Sequence, residues 1–294
     1  MQIHLFNLTK IYEGGVVGAQ DVNYAIEEGV LGLVGPNGAG KTTVMRILST
    51  LLEPTRGTAV IDGYDVRYDK PEIRRILGYL PQDFGLYPSL TCWEMLDYVG
   101  LLSNMTSRRQ RHEAIEQALA QVRLEEVRHR KVGTLSGGMR RRLGIAQAIL
   151  HHPRFLIFDE PTAGLDPEER IRIRNLLAEL GGDRIIILST HIVADVASAA
   201  TKLAVMNQGR IIYSGTPADL TRRAEGKVWR VPVSEEEMPL LRQRYPVTEV
   251  LRSPEGIFLR VVAETVDHPA AMPTEATLED AYVWLMGGKV DAGD

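Results

Sequence analysis

"VLGLVGPNGAGKTTVMRIL", Val30 to Leu48, decides the fold of this chain. The apolar run "VLGLV" enters a loop punctuated by Gly35, Gly38 and Gly40, and a helical pattern opens at Lys41. A buried strand that feeds G-x-x-x-x-G-K-[ST] and then a helix is the phosphate-loop arrangement. Its glycines let the backbone fold into a nest of N–H groups around phosphate, and the helix start adds a favourable dipole. Gly35, Pro36, Asn37, Gly38, Ala39, Gly40, Lys41, Thr42 and Thr43 are therefore the candidate nucleotide-binding residues. In this arrangement Lys41 reaches the β- and γ-phosphates and the Thr42 hydroxyl ligates Mg²⁺.

"FLIFDEPTAGLD", Phe155 to Asp166, supplies a second half. Its apolar residues bury a strand and deliver Asp159 at the carboxyl end, where a carboxylate can hold Mg²⁺. Glu160 follows at once, placed to orient and deprotonate an attacking water as general base. An Asp-Glu pair after a strand is otherwise an ordinary solvated loop start; beside a full phosphate loop it reads as part of a nucleotide site.

Short apolar runs alternate with helical patterns through the first three quarters, which predicts an α/β domain around a largely parallel sheet. "VLGLVG", "FLIFDE" and "RIIILST" are its buried strands, while "HLFNLTKIY", "AQDVNYAIEEG" and "GTAVIDG" alternate like half-exposed antiparallel strands. From Thr91 to about Leu150 the pattern is helical, and "TKLAVMNQGRIIYSG" reads as a hairpin turning at Asn207 to Gly209. "KVWRVPV", "EEEMPLLRQRY" and "GIFLRVV" then suggest a small α+β domain, ending in a helix whose Thr277 and Asp280 form a capping box. The predicted division is 1–222, with a helical subdomain at about 88–150, and 223–294.

The chain has 294 residues, 44% hydrophobic and 24% charged, which is the composition of a globular protein with a real core. A net charge of -4 argues against a domain that coats nucleic acid. The single cysteine, Cys92, excludes an internal disulfide and a Cys-rich metal site, and is read as an inert, partly buried thiol. No signal-peptide pattern opens the chain, and no apolar run approaches the ~20 residues of a spanning helix.

"GPNGAGKTT", "LPQD", "LSGGM", "FLIFDEPTAGLD" and "LSTH", in this order and at these spacings, resemble the nucleotide-binding domains of ATP-binding-cassette (ABC) proteins over roughly Met1 to Gly215. The resemblance implies a P-loop NTPase core with an antiparallel β subdomain and a helical subdomain, binding ATP and Mg²⁺ and hydrolysing ATP. It makes "LSGG" the signature sequence, so that Ser136, Gly137 and Gly138 bind the γ-phosphate of ATP held by a second, facing ATPase subunit. It also implies that Gln82 contacts Mg²⁺ and the attacking water, that His191 is the switch histidine on the γ-phosphate, and that Asp166 signals across the dimer. Tyr12 resembles the aromatic that stacks on adenine; alone, it reads equally as core or hairpin surface. Arg140, Arg141 and Arg142 read as a solvated helix face rather than a nucleic-acid patch.

The family uses ATP to move something else. Phe84, Leu86, Tyr87 and Trp93 crowd the stretch that would form a groove for a helix of a membrane partner, although Trp93 and Leu96 read first as subdomain core. "EATLEDAYVWLMGG" resembles the C-terminal extension of bacterial ATPases that pair with ABC-2 type permeases. The expectation is the ATPase subunit of an ABC-2 type exporter, cytoplasmic and peripheral on the inner face of the membrane. Its partners would be a second copy of itself and a permease on a separate chain, with no nucleic acid. The alternative is a non-transport ABC ATPase acting on ribosomes or DNA; relatives of that kind carry two cassettes or a long coiled coil, and this chain has neither.

Overall fold

The computed structural model describes residues 1–287, which fall into two compact units, residues 1–214 and the residues from 215 onward. In the first, β3 (Gly29–Val34) lies inside a six-stranded sheet with β6 (Leu77–Leu80), β7 (Phe155–Asp159), β8 (Ile185–Thr190), β9 (Lys202–Asn207) and β10 (Arg210–Gly215), in the order β10-β9-β3-β8-β7-β6. The β3–β8, β3–β9, β6–β7 and β7–β8 pairings are parallel. Phe155 to Phe158 and Ile185 to Leu188 are all buried, as expected of a parallel sheet covered on both faces. The register places Val34 opposite Thr190 and Asp159 opposite Ser189, so the carboxyl ends of β3, β8 and β7 lie side by side. Ligands of open α/β sheets bind at such an edge.

The other predicted strands form a separate antiparallel sheet. β1 (Ile3–Ile11) pairs with β2 (Val17–Ile26) on one side and β4 (Arg56–Ile61) on the other, and β5 (Tyr64–Asp65) closes the edge. Ile3, Leu5, Leu8, Ala59 and Ile61 share one core with Met45, Ile47 and Leu48 of α1 (Lys41–Leu48), so the helix that leaves the phosphate loop is anchored from below. α2 (Lys70–Ile76) leads directly into β6.

The helical region consists of α3 (Cys92–Leu102), α4 (Arg108–Gln121) and α5 (Gly137–Ile149). Each start is fixed locally: Thr91 and Glu94 make a capping box, and Ser107 and Ser136 accept from the backbone N–H groups of Gln110 and Met139. Leu96, Ile115, Leu119, Leu143 and Ile149 fill the interior. Cys92 is buried, and burial pushes its thiol pKa up, which agrees with an inert role. Trp93 is half-buried, its ring 5.2 Å from that of His112 and 6.4 Å from that of His129. α6 (Pro167–Glu179) and α7 (Val193–Ala197) follow β7 and β8.

The second unit holds α8 (Pro217–Arg222), β11 (Val228–Val233), α9 (Met238–Arg244), β12 (Val247–Ser253), β13 (Gly256–Val262), β14 (Met272–Pro273) and α10 (Leu278–Leu285). The strands form a sheet in the order β12-β13-β11-β14 over a small core of Val231, Leu241, Leu259 and Val261. Of these elements, α8, β12 and β14 are additions to the sequence reading. Asp280 at the start of α10 is wholly buried and accepts from Thr277 and Thr248, each at 2.7 Å, and from both Nε and Nη2 of Arg260. Trp229 donates its indole N–H to Ala263, and Lys227 lies 4.2 Å from the centre of the Trp284 ring. Among the described residues no helix is long and apolar enough to cross a membrane.

Candidate functional site

The loop after β3 can close tightly only because of its glycines. Gly40, at φ 103°, would press a Cβ to 2.1 Å from the carbonyl oxygen of Gly18, and Gly35 would meet that of Met206 at 2.2 Å. Lys41 is buried behind the loop, donating to the carbonyls of Gly35 at 2.6 Å and Pro36 at 3.1 Å. Burial pushes its pKa down, and the nearby Glu160 and Asp159 carboxylates oppose that shift.

The end of β7 supplies the acidic partners. Asp159 is buried; its Oδ1 accepts from the Ser189 hydroxyl at 2.6 Å, while its Oδ2 is buried with no partner. Glu160 takes a left-handed backbone with φ 50°, a strained conformation for a side-chain-bearing residue. Its N–H is shared between the Ser189 carbonyl, at 3.1 Å, and the Ser189 hydroxyl, at 3.2 Å. Its Oε2 is 2.8 Å from Nδ1 of His191, the residue after β8.

Tyr12, Val16, Val17, Gly18, Asn37 to Thr43, Gln82, Glu160 and His191 line one cleft of about 420 Å³. Asn37 to Thr43 of the phosphate loop, the glutamine after β6, Glu160 and His191 thus converge from four separate stretches, whereas the predicted Gly35, Pro36 and Asp159 do not line the cleft. Tyr12 sits at the cleft wall, its hydroxyl 3.0 Å from that of Thr43 and its ring 2.6 Å from where a Cβ on Gly18 would stand. Ser189 is the residue of this cluster that the sequence reading passed over. Its signal was its place in "LST", opposite Asp159 in the parallel register.

Ser136, Gly137 and Gly138 are not on this cleft. Ser136 is the N-cap of α5, and Gly137 lines a different hollow with Gln82, Phe84, Leu86 and Arg141. Nothing stands within 4 Å of a Cβ added to Gly137, whereas one on Gly138 would lie 2.6 to 2.7 Å from the side chain of Glu169. The same Glu169 carboxylate pairs with Arg142 at 3.2 Å, and the N-cap Asp166 accepts from the Glu169 N–H at 2.9 Å.

The arginine run corrects the sequence reading. Arg140 is exposed, but Arg141 and Arg142 are both buried. Arg142 serves the carbonyls of Val122 and Arg123 as well as Glu169, and Arg141 serves four carbonyls around the acidic loop. The helix is central rather than peripheral, so the face expected to be solvated is the one that satisfies buried loop carbonyls. The aromatic stretch is corrected in part: of Phe84, Leu86, Tyr87 and Trp93, only Tyr87 is exposed.

Comparison with known proteins agrees with this geometry. The family described as ABC transporter matches residues 19–163. The uncharacterized ABC transporter ATP-binding protein YxlF of Bacillus subtilis is 36% identical over 233 residues, covering 79% of this chain and 77% of YxlF. "Probable multidrug ABC transporter ATP-binding protein YbhF" of Escherichia coli is 34% identical over 88% of this chain, which spans 47% of YbhF. The dimeric structure of the ATP-binding cassette MJ0796 in a post-hydrolysis state, bound to ADP and Pi, superposes with a TM-score of 0.66 at 27% identity, covering 73% of this chain and 98% of that one. A phosphate loop, an acidic strand end and a histidine gathered at one sheet edge, in a chain with these relatives, belong to an ATPase: this protein is a member of the ABC transporter family, an ATP-binding subunit.

Proposed function

We propose that the chain is the ATPase of a bacterial ABC-2 type exporter, with residues 1–222 as its nucleotide-binding domain and residues 223–294 as an accessory domain for dimerisation or regulation. The observation that carries the catalytic part is the convergence of the phosphate loop, Glu160 and His191 on one cleft. The similarity to YbhF, a probable multidrug transporter component, supports the export reading.

In this reading the loop from Gly35 to Thr43 wraps the phosphates, Lys41 neutralises the β- and γ-groups, and Tyr12 stacks on adenine. Glu160 takes the proton of the attacking water, held in place by His191, which also hydrogen-bonds the γ-phosphate. The residues fit Mg²⁺: the orphaned Oδ2 of Asp159 is a hard oxygen donor, and the exposed Thr42 hydroxyl and Gln82 amide oxygen complete a set of the same kind. Among the described residues there is no cluster of three His, Cys, Asp or Glu side chains for a metal, which suits an ion held by one carboxylate and substrate phosphates. Bound there, Mg²⁺ would neutralise charge developing on the transferred phosphoryl group.

Ser136, Gly137 and Gly138 complete the site of a second copy. Their separation from the cleft within one chain supports a head-to-tail dimer, and the similar MJ0796 cassette is itself dimeric. The permease docks on the helical subdomain, where Tyr98, Leu101 and Leu102 lie at helical spacing on α3 and are exposed, with Tyr87 set edge-on to Tyr98 at 5.6 Å. The protein then works in the cytoplasm, peripheral on the inner face of the membrane. Tagged Glu160→Gln protein, captured with ATP from detergent-solubilised cells, should bring down a polytopic membrane chain in stoichiometric amount. Capture without any membrane chain would refute the transporter reading.

A further inference from the structure

Arg141 contacts neither the cleft nor its lining residues' side chains, yet its guanidinium makes four hydrogen bonds to the backbone around the acidic loop. Nε donates to the Pro161 carbonyl at 2.9 Å, Nη1 to the Gln82 carbonyl at 2.9 Å, and Nη2 to the Asp159 carbonyl at 2.9 Å and to the Glu160 carbonyl. Three consecutive carbonyls of one loop and the carbonyl of Gln82 are thus aimed at one planar cation. The side chain is buried, and Phe84 covers it with its ring centre 5.3 Å from the guanidinium carbon. Phe84 is itself seated on Gly144, where a Cβ would lie 2.6 Å from the ring.

We infer that Arg141 is a positioning residue for ATP hydrolysis, holding the backbone of Glu160 in the one arrangement that aims its side chain into the cleft. Glu160 has a strained φ of 50°, and such conformations persist only where the surroundings over-determine them. Here Ser189 fixes the Glu160 N–H, His191 fixes the carboxylate, and Arg141 fixes the carbonyls on both sides. A planar guanidinium with five donors in a fixed fork can meet four separate carbonyls; the three tetrahedral donors of a lysine ammonium cannot span the same fan. Because Arg141 lies on α5, five residues after Ser136, any displacement of the signature end of that helix is delivered to the loop that carries Glu160.

The inference rests on Glu160 being the general base, and four proteins separate the two ideas: Arg141→Lys, Arg141→Met, Glu160→Gln and the double variant Arg141→Lys/Glu160→Gln. Nucleotide affinity is read with a fluorescent ATP analogue, and hydrolysis by steady-state and long single-turnover phosphate release. Arg141→Lys, which keeps charge and most of the bulk, should lower kcat by about 100-fold, the scale of a small misplacement of a reacting group, with nucleotide affinity within about threefold of the parent. Arg141→Met should be at least as slow. The double variant should be no slower than Glu160→Gln alone, because Arg141 acts only through that carboxylate. Wild-type kcat in Arg141→Lys, a proportional loss of affinity, or a further slowing of the double variant would overturn the positioning role. Wild-type turnover in Glu160→Gln would instead remove the base assignment on which it stands.

Discussion

Glu160 and His191 are bonded to each other, Oε2 to Nδ1 at 2.8 Å, from the ends of two adjacent parallel strands. The carboxylate therefore arrives at the cleft already oriented by a second group, as a general base requires. Glu160→Gln keeps a hydrogen bond to His191 but cannot accept the water's proton, and hydrolysis should fall by about 10²- to 10⁴-fold with nucleotide still bound. Phosphate release beside a binding titration checks both halves.

Lys41→Ala removes the cation at the loop and exposes the carbonyls of Gly35 and Pro36 that it now serves. The rise in melting temperature that ATP gives the parent protein should disappear, since that rise depends on affinity for the folded state. In the parent, burial lowers the Lys41 pKa from the ordinary 10.5. Nucleotide affinity, which needs the charged form, should therefore begin to fall at a lower pH than an ordinary lysine would give. Binding titrations between about pH 7 and about pH 10 follow that limb.

Gly137 and Gly138 should respond differently to alanine. A Cβ at Gly138 meets the Glu169 carboxylate that Arg142 holds in place, so Gly138→Ala should cost about 1–3 kcal/mol in urea denaturation. Gly137→Ala meets nothing, so stability should be unchanged or slightly raised, while turnover should fall if, as proposed, the added methyl faces the nucleotide of a second copy. Normal turnover in Gly137→Ala would speak against a shared site.

Asp280 should govern the acid stability of the second unit. Burial pushes its carboxyl upward, but the hydrogen bonds from Arg260, Thr248 and Thr277 outweigh that and leave its pKa below the ordinary 3.8. A depressed folded-state value contributes stability that is complete above the ordinary value and is lost as the pH falls through the depressed one. Asp280→Asn leaves Arg260 without its charge partner and should cost about 3–5 kcal/mol at neutral pH, with a smaller difference from the parent in strong acid. Denaturant melts of the two proteins across that range provide the comparison.

The phosphate loop and the strands feeding it were legible because their requirements are local. Gly40 must be glycine for its own φ and its neighbour's carbonyl, and Phe155 to Phe158 are apolar because both faces of the sheet are covered. Arg141 and Arg142 were misread for the converse reason. A charged run on a helix ordinarily faces water, and only the tertiary path of the acidic loop supplies carbonyls for it to serve. β12 escaped notice because "VTEVLRS" has no wholly buried position and so lacks the alternation of a strand with one covered face. Ser189 was hidden in plain sight: a serine ending an apolar strand gains meaning only from the register that sets it against Asp159.

Trp93 is the one tryptophan ahead of residue 215; Trp229 and Trp284 both lie in the second unit. Indole emission is sensitive to the rings around it, and Trp93 meets the imidazole of His112, from α4, edge-on and lies 6.4 Å from that of His129, from the turn beyond that helix. With Trp229 and Trp284 replaced by phenylalanine, the indole emission of the chain would come from Trp93 alone. The helical subdomain thus carries a built-in optical gauge, with which its rearrangement on adding nucleotide could be timed by stopped flow without attaching a dye.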